Sequence, residues 1–197
     1  MDKGEVARRL LGTALDMFLR PNQDPVSIHC LAMAGGEIAE GLAKNAGVAP
    51  FLDHITATFP DRKIEDIRNI QRQFYNAFKH MFTRDGKERQ DQDVLERFDA
   101  AINDHTLFHG WYDLMLSGTS TPVEAQVFQA WYFAKYREKV SPDADMSGIM
   151  ETFPNLPALP AHRQLDRLRD VIRKTKKNSA VMQDPRTDRR PLVLPMN

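Results

Sequence analysis

Four polar side chains share one face of a helix predicted over residues 62–83. They are Arg72, Asn76, Lys79 and His80. Because a helix turns by about 100° per residue, all four point away from the predicted apolar stripe. Histidine is suited to proton transfer near neutral pH, and arginine and lysine stabilise a phosphate anion. This face is a candidate catalytic site for metal-independent RNA cleavage through the ribose 2′-hydroxyl; the alternative is a solvated helix face that carries one histidine.

Two histidines four residues apart lie in the apolar stripe of another helix, predicted over residues 92–117. At this spacing His105 and His109 can bind one metal ion, with Asp104 as an outer hydrogen-bond acceptor. The remaining ligands would come from the second predicted helix: His29, Cys30, Glu37 and Glu40. The alternative is two neutral core histidines bonded to backbone or tyrosine groups. The sequence favours this alternative, and it predicts no resident metal ion or cofactor.

The 197-residue chain carries no net charge and a single cysteine. One cysteine excludes a disulfide framework and a multi-cysteine zinc site. No apolar run reaches the roughly 18 residues of a membrane span, and charged residues interrupt the N-terminal segment, unlike a signal peptide. Phosphate-binding loops, nucleophile elbows and H-E-x-x-H sequences are missing, which argues against an NTPase, an α/β hydrolase and a zinc protease. The sequence therefore predicts a soluble, cytoplasmic protein without a membrane partner.

The zero net charge of the chain is the sum of an acidic segment and a basic segment. Residues 1–160 hold 17 basic and 23 acidic side chains, whereas residues 161–197 hold 10 and 4. A basic segment of this kind is typical of an arm that binds nucleic acid or an acidic partner. Because the two net charges are equal and opposite, the sequence favours a basic segment that folds onto the acidic body of its own chain.

Apolar residues recur at helical spacing through most of the chain, and no strand pair is predicted. Asp24-Pro25 opens the second helix, Gly47 closes it, and Thr121-Pro122 opens the fifth. Long helices are predicted over residues 3–20, 24–46, 62–83, 92–117 and 121–139, with short ones near 50–58 and within 142–153. The predicted fold class is all-α, an up-and-down helical bundle of four to five long helices followed by a C-terminal amphipathic helix and a flexible tail.

Three parts make up the predicted domain organisation. Residues 1–153 form the helical bundle, and residues 154–177 form a proline-rich connector and a basic amphipathic helix. Residues 178–197 form the flexible tail, which carries an apolar patch at 191–195.

Three glycines interrupt the second predicted helix: Gly35, Gly36 and Gly41. Each costs about 1 kcal/mol relative to alanine in a helix, so something must compensate. Very close packing against a neighbouring helix is the favoured explanation. The alternative is that the small residues clear room for a ligand.

Two segments resemble a group of uncharacterised bacterial all-helical proteins. They are Asn76-Ala77-Phe78-Lys79-His80 followed by Arg84-Asp85, and residues 24–32 at the start of the second helix. More distantly, a bundle with an arginine and a histidine on one helix resembles the HEPN superfamily, whose members dimerise and in many cases cleave RNA without metal. Seven residues separate Arg72 from His80, against four to six in that superfamily's hallmark. The resemblance implies a homodimer that binds or cleaves RNA, with His80 as acid or base and the other polar residues of its face on the phosphate.

Two further functions are compatible with the sequence. One is a non-catalytic protein-interaction module that uses the basic C-terminal helix and tail to contact a protein partner. The other is a metal-binding helical bundle that uses His105 and His109. Loss of partner binding on truncation near residue 160 would favour the first, and stoichiometric metal in the purified protein would favour the second.

Overall fold

The computed structural model describes residues 1–58, 61, 63–141 and 143–195. Two compact units are present, residues 1–118 and residues 119–197. The predicted all-α class is confirmed, because helices dominate both units and the described strands form a single short pair. The predicted domain boundary at residue 153 stays a prediction; helices on both sides of that position pack together within the second unit. None of the described helices is both long and apolar enough to cross a membrane.

The longest helix of the N-terminal unit lies at its centre. The helices of this unit are α1 (Lys3–Phe18), α2 (Pro25–Asn45), α3 (Phe51–Thr58), α4 (Ile64–Lys79), α5 (Gln92–Glu96) and α6 (Ile102–Leu116). α2 contacts α1, α4 and α6. Its start is as predicted, because the Asp24 carboxylate accepts hydrogen bonds from the main-chain N–H groups of Val26 and Ser27. Gly47 follows its end with a φ of +75°, the left-handed conformation that favours glycine.

Two glycines of α2 lie against neighbouring helices. A Cβ at Gly35 would come within 2.8 Å of Cγ of Leu11 on α1. A Cβ at Gly36 would lie 3.5 Å from the Cα of Gly110 on α6. Close packing therefore explains Gly35, whereas a Cβ at Gly36 would make an ordinary van der Waals contact and a Cβ at Gly41 would meet nothing within 4 Å.

The helix predicted over residues 62–83 ends earlier than predicted. α4 ends at Lys79 rather than at residue 83, and His80 is extended, with φ −123° and ψ 117°. The chain then turns back, because the Arg89 main-chain N–H donates to the Met81 carbonyl at 3.0 Å. The Thr83 main-chain N–H likewise donates to the Lys87 carbonyl at 2.8 Å, so these two groups bond across the turn and not along a continued helix.

Residues 92–117 form two helices, α5 and α6, rather than the one predicted. Between them the Asp99 carboxylate accepts a hydrogen bond from the Ala101 main-chain N–H at 2.8 Å. A side chain that bonds to the backbone two residues later favours a turn over a helix. This turn separates the two helices, so the apolar stripe predicted over the whole segment is not continuous.

The C-terminal unit is built around α7 and α9. Its elements are β1 (Thr121–Pro122), α7 (Val123–Lys135), a 3₁₀ turn (Arg137–Lys139), α8 (Ser147–Thr152), a second 3₁₀ turn (Leu156–Ala158), α9 (Ala161–Thr175), α10 (Ser179–Gln183) and β2 (Thr187–Asp188). The buried Trp131 indole on α7 donates to the Gln164 carbonyl on α9 at 3.1 Å. β1 and β2 are parallel, with Thr121 opposite Thr187. The prediction of no strand pair is therefore wrong.

The segment predicted as a flexible tail contains regular structure. α10 is capped by the Asn178 side chain, and β2 pairs with β1. The Gln126 amide donates to the Thr121 carbonyl and to the Thr187 hydroxyl, each at 3.0 Å, which ties the tail to α7. Within the apolar patch at 191–195, Leu192 is buried. Residues 196 and 197 lie outside the described residues.

Candidate functional site

A cleft of about 260 Å³ lies within the N-terminal unit, between α2, α3, α4 and α6. α6 contributes His105, His109 and Asp113 to one wall. These residues are spaced four apart, so they follow one another along a single face of the helix. The opposite walls carry apolar side chains and the charged residues Glu37, Glu40 and Arg72.

Small residues at the crossing of α2 and α6 make room for the cleft. Ala32, Gly36 and Gly110 all line it. The two glycines face each other across the crossing, so the helices approach closely and neither fills the space with a side chain. Gly36 thus leaves space open in the cleft, and the alternative interpretation, room for a ligand, stays a prediction there.

Asp113 is the most deeply buried acidic group of the cleft, at 5% exposure. Its Oδ1 accepts a hydrogen bond from the main-chain N–H of Phe51 at 2.7 Å, and this is the one hydrogen bond to the carboxylate among the described residues. Burial raises the pKa of Asp113 to about 6, and the nearby charges of Glu40 and Asp53 act in the same direction. The Phe51 bond and the Lys44 charge lower the pKa and so oppose this rise.

The two histidines predicted as a pair lie beside Asp113, and both are half-buried. The His109 ring packs against Phe51, with ring centroids 4.5 Å apart, and its Nδ1 lies 3.5 Å from Nε2 of Gln71 on α4. Among the described residues, no three histidine, cysteine or acidic side chains are grouped to hold a metal ion. Metal binding by His105 and His109 stays a prediction.

Arg72 lines the mouth of the cleft. Its Nε lies 3.1 Å from Oε1 of Glu37, and both side chains are more than a third exposed, which places the ion pair at the mouth. Asn76, Lys79 and His80 do not line the cleft. Arg72 thus lines the cleft together with His105 and His109, and its catalytic role with Asn76, Lys79 and His80 stays a prediction.

The other members of the predicted catalytic face lie near the end of α4. Asn76 is half-buried, and Lys79 is exposed with its Nζ 4.0 Å from the centroid of the Tyr75 ring. His80 is exposed and lies beyond the last residue of the helix. Its main-chain N–H still donates to the Asn76 carbonyl at 3.1 Å, and the predicted catalytic face stays a prediction.

His29 of α2, named above as a possible further metal ligand, is a buried polar residue. Its Nδ1 lies 3.0 Å from Oδ1 of Asn103, and its Nε2 has no hydrogen-bond partner among the described residues. The rings of Phe74, Phe78 and Phe98 surround it in edge-to-face geometry. Burial lowers the pKa of His29, and the Asn103 bond opposes this. His29 is thus a neutral histidine of the hydrophobic core, and it does not line the cleft.

The basic charges of α9 are largely paired within the C-terminal unit. Arg169 and Arg173 each pair with an aspartate three residues before them, and Lys176 pairs with Glu124 of α7. Of these three pairs only the one between Lys176 and Glu124 reaches residues 1–160, so a basic segment that folds onto the acidic body of its own chain stays a prediction. A protein partner at this surface stays a prediction.

Sequence reasoning missed Asp113, Gln71 and Phe51 as parts of the site. Asp113 could have been predicted from the sequence, because it continues the four-residue spacing of the two histidines. Phe51 and Gln71 depend on how α3 and α4 pack, which no local pattern indicates. No protein-family model, curated protein or solved structure matches the chain.

Proposed function

We propose that the N-terminal unit binds a small organic molecule in the cleft between α2, α3, α4 and α6. One observation carries this proposal: a row of titratable side chains, His105, His109 and Asp113, lines a cleft whose other walls are largely apolar. Ligand sites typically combine an apolar surface with a few converging polar groups. An apolar cavity of about 150 Å³ holds benzene, so this cleft accepts one ring with a short substituent.

The polar row also suits acid–base chemistry on a bound molecule. Histidine ordinarily titrates near neutral pH, and the pKa of Asp113 is raised to about 6. Groups with such pKa values can take up and release protons at physiological pH. Binding is the function proposed, and proton transfer to or from the bound molecule is the reaction that these residues would serve.

Methyl-resolved NMR with a panel of one-ring fragments tests the proposal. Met33 and Ile70 line the cleft, whereas the exposed Met81 and Met115 do not. We expect saturable shifts of the Met33 and Ile70 methyl signals, with the signals of Met81 and Met115 unchanged as internal controls. The proposal fails when no fragment gives saturable shifts, or when all four signals move together.

RNA binding is a second proposal, and it concerns residues 79–84. Lys79, His80 and Arg84 are exposed here, and Phe82 is 59% exposed among them. Exposed aromatic rings beside cations stack bases and contact phosphates of single-stranded nucleic acids. The resemblance to HEPN bundles adds to this proposal a homodimer, with RNA cleavage by His80 together with Arg72, Asn76 and Lys79.

Fluorescence anisotropy with a labelled single-stranded RNA tests this second proposal. Phe82→Ala should weaken binding about tenfold or more, since stacking contributes about 1–3 kcal/mol per base. Leu95→Ala is the matched control, because Leu95 is also exposed and lies outside residues 79–84. Equal affinities of the two variants would exclude this surface as the RNA site.

A further inference from the structure

The charges of the cleft indicate which class of molecule it binds, and this inference rests on the proposed binding function. We infer that the occupant is a small organic cation, an amine on a one-ring apolar body, with the Asp113 carboxylate as its counter-ion. Of the acidic groups that line the cleft, some already have a cationic partner and one does not.

Two of the three acidic side chains in the cleft are already paired. Glu37 contacts Arg72 at the mouth. Glu40 contacts Lys44 and also Arg68, whose Nη2 lies 3.3 Å from Oε1. Arg72, the one cation among the described lining residues, is therefore committed to a carboxylate. An anionic ligand would have to compete with Glu37 for it.

Asp113 is the acidic side chain of the cleft that forms no ion pair with a described residue. No ion pair to its carboxylate is present among the described residues, and Oδ1 receives only the Phe51 N–H. Oδ2 has no donor among the described residues. A buried carboxylate is costly unless a cation or further donors compensate it. A ligand ammonium group at Oδ2 would supply both a positive charge and hydrogen-bond donors.

The charged groups around Asp113 favour a cation there. Glu40 of α2 and Asp53 of α3 repel its negative charge, and Lys44 of α2 offsets them only in part. His109 lies one turn away on α6, and Arg72 of α4 is held at the mouth by Glu37. An anion placed beside Asp113 would add a further repulsion, whereas a cation would relieve the existing one.

Apolar side chains beside Asp113 suit the body of such a ligand. Phe51, Leu52 and Phe74 line the same cleft, together with the small residues Ala32 and Gly36. Aromatic rings attract ammonium groups through their electron-rich faces, so Phe51 and Phe74 add to the preference for a cation. The Asp113 carboxylate thus lies in a cleft lined by aromatic and aliphatic side chains.

Isothermal titration with three probes of similar size tests the inference. The probes are 2-phenylethylammonium, neutral 2-phenylethanol and the anion phenylacetate. At pH 7.5 we expect the cation to bind at least tenfold more tightly than the other two. Asp113→Asn should abolish this preference, whereas Asp93→Asn, at an exposed position of α5, should preserve it. Wild-type affinity for the cation should fall about tenfold from pH 7.5 to pH 5, because Asp113 gains a proton near pH 6.

The outcomes separate this inference from the function on which it rests. Equal binding of the cation and the alcohol, or a preference for the anion, would overturn the ligand class and leave the cleft as a binding site. Binding of none of the three probes would count against both. A cation preference that survives in Asp113→Asn, or that ignores pH in the wild type, would remove Asp113 as the counter-ion. The wild-type pH series tests the role of Asp113 independently of the Asp113→Asn variant.

Discussion

Phe51 and Asp113 are joined by a hydrogen bond from the main-chain N–H of Phe51 to Oδ1 of Asp113, 2.7 Å long. Phe51 is the first residue of α3, so the carboxylate lies where a helix presents unbonded N–H groups and positive potential. The bond ties α3 to α6 and holds the carboxylate in the wall of the cleft. Asp113 therefore has a structural role and a position suited to ligand binding.

The first prediction concerns Asp113 and pH. Its pKa is raised to about 6 in the folded protein, against 3.8 for an unperturbed carboxyl, so folding favours the protonated form. The stabilisation is complete below pH 3.8 and is lost as the pH rises to 6. Asp113→Asn, a neutral mimic, should gain on the order of 3 kcal/mol relative to wild type between pH 4 and pH 7. Denaturant unfolding of both proteins measures this; a difference that does not vary with pH would contradict the account.

The second prediction compares two glycines of α2. Gly35→Ala should lower the free energy of unfolding by about 1–3 kcal/mol, because its Cβ would overlap the buried Leu11 side chain. Gly41→Ala should raise it by about 1 kcal/mol, because nothing lies near and alanine favours the helix. Urea unfolding midpoints measure both changes. If both substitutions changed the free energy of unfolding in the same direction, the described packing of α1 against α2 would be wrong.

Acid sensitivity should arise in part from His29. Its pKa is lowered by burial, so folding favours the neutral ring, and the stability it contributes above pH 6.5 is lost as the pH falls. His29→Gln removes the titration and retains an amide that can bond to Asn103. The stability of wild type relative to this variant should therefore decline steadily below pH 6.5. A relative stability that rises or stays level over this range would show that the ring is not held neutral.

RNA cleavage provides a prediction for the exposed end of α4. Under the second proposal, His80→Ala should abolish cleavage of a single-stranded RNA and leave the far-UV circular dichroism spectrum unchanged, because His80 is exposed and lies outside the helix. Cleavage by the wild type should persist in a chelator. Full activity of the variant would end the catalytic hypothesis for His80, and chelator-sensitive cleavage would direct attention to metal binding by His105 and His109.

Local signals in the sequence predicted most of the helices and little of the site. The Asp24 cap and Gly47 define α2 because each acts on its own backbone. The ends of α4 and the break before α6 were missed, since they depend on bonds such as the one from Ala101 to Asp99 that compete with an otherwise helical pattern. β2 was missed because a strand of two residues has no periodicity.

Long-range packing explains why the candidate site could be predicted only in part. The spacing of His105 and His109 correctly placed them on one face, and it would have included Asp113. The position of Arg72 at the mouth of the cleft was not predicted, because its ion pair with Glu37 depends on how α4 packs against α2. The burial of His29 likewise depends on phenylalanines from elements distant in the sequence.

A crystal structure of the protein soaked with 2-phenylethylammonium at pH 7.5 tests the central claim most directly. The account predicts one molecule in the cleft of the N-terminal unit, with its nitrogen within hydrogen-bond distance of Asp113 Oδ2 and its ring against Phe51 or Phe74. A cleft without the molecule at saturating concentration, or a molecule bound there with its nitrogen directed away from Asp113, would contradict it.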